Sequence, residues 1–154
     1  MIQELEKNIL IKINFANKFL GVKSKFINNV EEIHLFTKHD VIQLFKEIQK
    51  PCKYIKGPAY VINREFENYK FVLSFVMVKN SPQMYIYVYN NNELIEDWGV
   101  SNFSYILNFL EYDENIINRN FGLNSLEDLK QYILDMIEIF DDFVDAYITI
   151  KCLK

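Results

Sequence analysis

The last third of the chain predicts one long amphipathic helix, which must bury its apolar face against other elements to be stable. Asn124 or Ser125 is a suitable N-cap, and the acids Glu127 and Asp128 in the first turn favour helix initiation. At about 100° per residue, the large apolar side chains share one face of the helix. The sequence therefore predicts a helix over residues 125–149 and a core built around it.

The opposite face of this helix is predicted to be a stripe of carboxylates. Its members are Asp128, Asp135, Glu138, Asp141, Asp142 and Asp145. Between residues 131 and 150 no Lys or Arg offsets them, although like charges at i,i+4 cost about 0.2–0.5 kcal/mol per pair. Two interpretations stay open: a solvated face, neutralised by lysines of the N-terminal half, or a docking surface for a basic partner.

Charge is unevenly distributed along the 154 residues, whose net charge is −4. Residues 1–56 hold ten Lys and six acids, whereas residues 111–145 hold two basic and ten acidic residues. Such an asymmetry bears on partners and not on the fold. Glu111, Asp113 and Glu114 are a possible extension of the acidic surface.

Two further helices are predicted before the middle of the chain. Apolar residues at three- and four-residue spacing indicate a helix over 2–20, with Gly21 in the position of a C-terminal cap. Thr37 is a suitable N-cap for a second helix over 38–49. Residues 22–36 are compatible with a helix face or with a short strand.

The middle of the chain is predicted to be β structure, because turn sequences separate short β-rich runs. The predicted strands are Ala59–Phe66, Tyr69–Val78, Met84–Tyr89 and Glu93–Trp98. The predicted turns are Glu67-Asn68, Asn80–Gln83 and Asn90–Asn92. We therefore expect a single α+β domain over residues 1–154, in which an antiparallel sheet of about four strands (residues 58–98) packs against the N-terminal and C-terminal helices.

Alternation in the third predicted strand places Tyr85, Tyr87 and Tyr89 on one face. The simplest interpretation is that the other face packs on helices while the tyrosines form a half-buried surface. A stacking platform for bases is normally accompanied by a basic groove, but residues 57–110 are net negative. A protein contact or a homodimer surface is the alternative, since Tyr is enriched in interfaces.

Catalytic patterns are sparse in this sequence. His34 and His39 do not share a helix face, and no Cys/His ligand set, GxSxG, GxxxxGKS or GxGxxG occurs, so no metal, cofactor or catalytic residue is assigned. Cys52 with His39 as base is a conceivable nucleophile, and Lys53 and Lys56 would be expected to lower its thiol pKa.

The expected compartment is the cytoplasm. Acids and lysine interrupt the first apolar positions, no run reaches the length of a membrane span, and Cys52 and Cys152 stand outside any CxxC pattern. No membrane contact is expected.

The C-terminal third resembles small bacterial immunity proteins of polymorphic toxin and contact-dependent growth inhibition systems. The residues that carry the resemblance are Asp97–Gly99, Asn120–Gly122 and Ser125–Ile133, in a small acidic chain of AT-rich composition. The resemblance implies a cognate toxin domain as partner, often a nuclease, which the immunity protein blocks by direct binding.

The sequence thus favours a non-enzymatic toxin inhibitor, monomeric or homodimeric, that binds a basic protein and not nucleic acid itself. The expected partner-binding residues are Asp135, Glu138, Asp141, Asp142, Asp145, Glu111, Asp113 and Glu114. The alternatives are a small enzyme with a pocket between sheet and helices, or a tyrosine-rich interaction protein.

Overall fold

The computed structural model describes residues 4–26, 35–57, 59–77, 82–95, 100–103, 106–107, 110–111 and 122–152. Within these residues it contains four α-helices and a six-stranded antiparallel sheet, which confirms the predicted α+β class.

Two helices, α1 (Glu4–Lys12) and α2 (Phe15–Ser24), replace the single predicted helix over 2–20. The break lies at Asn14, whose φ of 58° and ψ of 40° are left-handed. Asn tolerates this conformation better than most residues, so it can end one helix and begin the next. The expected cap at Gly21 is wrong, because Gly21 lies inside α2, which continues to Ser24.

Helix α3 (Lys38–Glu47) begins at the predicted cap. The Asp40 N–H donates to Thr37 Oγ1 at 3.1 Å, and the Thr37 N–H donates to Asp40 Oδ2 at 3.2 Å. Asp therefore completes a capping box that more often uses Glu or Gln. Most of the ambiguous 22–36 segment lies outside the described residues.

The sheet contains all four predicted strands and two that were not predicted. The strands are β1 (Lys53–Ile55), β2 (Ala59–Phe66), β3 (Tyr69–Val76), β4 (Gln83–Asn90), β5 (Glu93–Leu94) and β6 (Val100–Asn102). They pair in the order β1-β2-β3-β4, and both β5 and β6 pair with β4. Residues 96–99, which include the predicted end of the fourth strand, and residues 78–81, which include the first half of the predicted turn Asn80–Gln83, lie outside the described residues. Gln83, predicted as the end of that turn, is instead the first residue of β4.

Left-handed residues form the turns between strands. Glu67 has φ 53°, and Asn91 and Asn92 have φ 50° and 66°, so the predicted turns after β2 and β4 are confirmed. Gly57, between β1 and β2, has φ 142°, which side-chain-bearing residues rarely adopt.

Helix α4 (Leu126–Tyr147) confirms the predicted C-terminal helix and continues into a π-helical turn, Ile148–Cys152. Ser125 Oγ accepts from the Asp128 N–H at 3.1 Å, and Asp128 Oδ2 accepts from the Asn124 N–H at 3.1 Å. These bonds satisfy backbone donors at the helix start that would otherwise lack partners. One core cluster joins side chains of all four helices with those of β2, β3 and β4. Helix α4 contacts α1, α2, α3 and β3, so its position fixes where the carboxylate face points.

Candidate functional site

The five carboxylates of α4 that were predicted to bind a partner lie away from the core. They are Asp135, Glu138, Asp141, Asp142 and Asp145, and we call them the carboxylate face. The apolar residues behind them, such as Met136, Phe140 and Val144, are fully buried. This burial fixes the rotation of α4 and places the five carboxylates on its outer side.

Four of the five carboxylates pair with cations from elsewhere in the fold. On the α2 side, Lys18 Nζ lies 2.6 Å from Asp142 Oδ2, and Lys25 Nζ lies 2.8 Å from Asp135 Oδ2. Lysines of the N-terminal half therefore neutralise part of the stripe, as the first of the two sequence interpretations expected, because tertiary packing supplies cations that the local sequence lacks.

Arg64 on β2 forms the remaining pairs. Its Nη1 lies 3.1 Å from Asp141 Oδ1, and its Nη2 lies 2.9 Å from Asp145 Oδ1. The Asp145 side chain is still 66% exposed. Because half-exposed pairs contribute about 0–1 kcal/mol each, these contacts orient side chains more than they stabilise the fold.

Glu138 is the exception within the carboxylate face. It is exposed, and no ion pair or hydrogen bond joins it to another residue in the described parts of the chain. Five carboxylates against three cations leave the face with a formal charge of −2. The face therefore stays acidic, with Glu138 and the outer part of Asp145 open to solvent.

A groove of about 320 Å³ lies between α2 and α4 beside Glu138. Val22 and Ile139 are buried in its floor, and Lys18 and Lys25 stand along one wall. Apart from the adjacent residues and the backbone of α2 itself, no described atom lies within 4 Å of the place that a Cβ would occupy at Gly21, so the groove is open there.

The predicted extension of the acidic surface is only partly described. Glu111 is exposed and lines a different groove of about 320 Å³, against Leu10 of α1 and Phe15 of α2. Asp113 and Glu114 lie outside the described residues.

The alternation predicted for the tyrosine strand is confirmed in β4. Met84, Ile86 and Val88 are buried, whereas the tyrosines on the other face are half-buried. The rings of Tyr85 and Tyr87 stack with centroids 6.3 Å apart. Burial, followed by the neighbouring Tyr85 and Tyr89, raises the pKa of Tyr87 above its ordinary value.

Cys52 does not have the environment of an activated nucleophile. Burial raises the pKa of its thiol to about 11, although a hydrogen bond with the Val61 backbone acts in the opposite direction. The expectation that Lys53 and Lys56 lower this pKa is wrong, because desolvation dominates. His39 is exposed in the first turn of α3. Without thiolate the proposed Cys52–His39 pair lacks its nucleophile.

We expect Cys52 to react about 100-fold more slowly with iodoacetamide at pH 8 than a model thiol of pKa 9.0, because its thiolate fraction is lower by that factor. The measurement is the alkylation rate in a Cys152→Ser variant, with the same variant unfolded in urea as the control. A native rate equal to the unfolded rate would contradict the raised pKa.

No helix within the described residues is long and apolar enough to cross a membrane. The same residues contain no group of three or more His, Cys, Asp or Glu side chains arranged to hold a metal ion.

Comparisons with protein-family models, with curated proteins and with solved structures gave no match for this chain.

Proposed function

We propose that the protein is a non-enzymatic immunity protein that binds a cognate toxin domain in the cytoplasm and neutralises it through the carboxylate face of α4. The observation that carries the proposal is the outward carboxylate of Glu138, together with the exposed part of Asp145, on a helix whose other side is fully buried. A nuclease toxin fits this surface, because nucleases carry cationic grooves for phosphate, which a carboxylate array can match.

The ion pairs with α2 and β2 support binding by pre-organisation. Lys18, Lys25 and Arg64 each hold one or two of the aspartates in a fixed place. A partner then finds carboxylates already ordered, which lowers the conformational entropy lost on association. The remaining charge of the face attracts a basic partner and accelerates the encounter.

The test needs the toxin domain that this proposal expects to be encoded beside this chain. Glu138→Lys with Asp145→Lys should weaken binding by at least about tenfold, with most of the loss at low salt, where electrostatic attraction is strongest. Binding is measured by calorimetry at two salt concentrations, and protection by survival of cells that express the toxin.

A matched control makes the same change of charge elsewhere. Glu47→Lys at the end of α3 with Glu65→Lys on β2 alters two exposed acids that belong to other surfaces. This control should bind within about threefold of the original chain, since nonspecific charge effects on affinity are small at physiological salt. Equal losses in both double variants, or none in the first, would refute the role of the carboxylate face.

A further inference from the structure

Two ion pairs join the α2 side of the groove to α4, and the space between them would accommodate a third. Lys18 pairs with Asp142 and Lys25 pairs with Asp135, so the two helices run antiparallel where they meet. The two ion pairs are seven residues apart on each side, which is about 10.5 Å along a helix axis. Glu138 lies between them on α4, at the place where a cation on α2 would form a third ion pair.

The facing positions on α2 carry no cation. Gly21 and Val22 stand opposite Glu138 and Ile139, and the groove of about 320 Å³ opens at this point. Gly21 has no side chain to fill it, and no described atom outside α2 lies within 4 Å of where its Cβ would be. In the place of a third ion pair, the described residues therefore form a groove. Its floor is apolar, and the unpaired carboxylate of Glu138 stands on one wall.

We infer that this groove receives one arginine side chain of the basic partner, and that this arginine forms the third ion pair with Glu138. The inference rests on the proposed function and names the chemistry that the site takes. Of the charged residues that line the groove, Lys25 pairs with Asp135, and Lys18 pairs with Asp142, which lies outside the lining. Glu138 therefore keeps the one uncompensated charge, a formal charge of −1. One cation neutralises that charge, and an anion is disfavoured.

Arginine fits this groove better than lysine. Its aliphatic stem can lie on Val22 and Ile139, and its planar guanidinium can form two parallel hydrogen bonds with the Glu138 carboxylate. A guanidinium is also less strongly hydrated than an ammonium group, so it loses less on entering a partly apolar groove. The volume of about 320 Å³ is at the lower end of ligand pockets, which suits a side chain rather than a folded segment.

The first experiment tests the groove without a toxin. Blocked pentapeptides Gly-Gly-X-Gly-Gly, with X as arginine, lysine or the uncharged citrulline, are titrated while the amide signals of Gly21 and Val22 are followed by NMR. We expect a saturable shift with arginine, a weaker one with lysine and none with citrulline. Glu138→Gln should weaken the arginine response by about threefold, the value of a half-exposed ion pair.

Filling the groove from within provides the matched variants. Gly21→Arg places the third cation on the chain itself, and the open space around Gly21 lets the variant fold. It should no longer respond to the arginine peptide, whereas Gly21→Ala should still respond. Equal shifts with arginine and citrulline, or a full response in Gly21→Arg, would overturn the inference.

The second experiment separates this inference from the proposed function. Gly21→Arg should weaken binding of the toxin domain by about tenfold, because its side chain fills the groove that the arginine of the partner would enter, while Gly21→Ala should bind within about threefold. If Gly21→Arg binds normally while Glu138→Lys with Asp145→Lys does not, the groove inference fails and the proposed function stands. If the peptide occupies the groove but the chain neither binds nor neutralises the toxin, the proposed function fails.

Discussion

Replacing Phe143 with alanine should lower the free energy of unfolding by about 3–5 kcal/mol, the cost of an unfilled cavity in a packed core. Phe143 is fully buried on the inner side of α4, and its ring lies 5.8 Å from that of Tyr147. Helix α4 contacts the other three helices and β3, so the cavity would open where several elements meet. Because small domains are stable by only about 5–15 kcal/mol, the loss is a large part of the total.

The measurement is urea unfolding followed by far-UV circular dichroism. Phe143→Leu, which leaves a smaller void, should cost less than about 2 kcal/mol and remains measurable if the alanine variant is unfolded. Leu134→Ala is the matched control on the same helix, since Leu134 is 38% exposed, and it should change stability by less than about 1 kcal/mol. Equal losses at Phe143 and Leu134 would contradict the central position of this face.

The elements that the sequence predicted well are those with local causes. Helix α4 was predictable because its apolar period is long and Ser125 provides a cap for its first turn. The ends of β2 and β4 were predictable because turn residues follow both strands: Glu67-Asn68 after β2, and Asn91 and Asn92, which tolerate left-handed backbone, after β4. In these cases each residue's own preference agrees with the tertiary structure.

The elements that were missed depend on contacts distant in sequence. The apolar period continues through Ile13 and Phe15, both buried, so nothing in the pattern marks the break at Asn14. Strands β1 and β6 have three residues each, which is too few to show alternation, and they are strands only because β2 and β4 pair with them. Periodicity cannot reveal such an element before its neighbour is placed.

The sequence analysis left open that lysines of the N-terminal half neutralise the stripe, but for the same reason it did not identify which lysines do so. Lys18 and Lys25 are seven residues apart, as are Asp135 and Asp142, so both pairs can form at once, and antiparallel packing decides that Lys18 meets Asp142 and Lys25 meets Asp135. The predicted carboxylate face was correct in its rotation, but its balance of charge depended on this packing and on Arg64 from β2. Local charge patterns therefore define a face and leave its counter-ions open.

A further ion pair joins the first helix to the end of the described chain. Lys151 Nζ, in the π-helical turn, lies 3.3 Å from Oε1 of Glu6 on α1. The Glu6 side chain is 1% exposed, and its Oε2 has no hydrogen-bond partner among the described residues. A carboxylate so far from water depends on Lys151 for its compensation.

Lys151→Ala should therefore destabilise the protein more than removal of a cation from the carboxylate face. Loss of one partner from a fully buried pair costs roughly 3–5 kcal/mol, and because the Lys151 side chain is 33% exposed, we expect about 2 kcal/mol. Lys18→Ala is the matched control and should cost less than about 1 kcal/mol, since its partner Asp142 is 38% exposed and water can replace the lysine. Urea unfolding of both variants at the same salt concentration gives the comparison.

A double-mutant cycle separates the ion pair from the other contact of Lys151, whose Nζ lies 5.5 Å from the centre of the Tyr147 ring. In a Glu6→Met background no buried carboxylate is left, so Lys151→Ala should cost only the ring contact, about 0.5–1 kcal/mol. The difference between the two costs is the coupling energy, and we expect it to exceed about 1 kcal/mol. If Lys151→Ala costs the same in both backgrounds, the buried carboxylate is not what Lys151 stabilises, and the ring contact accounts for the whole effect.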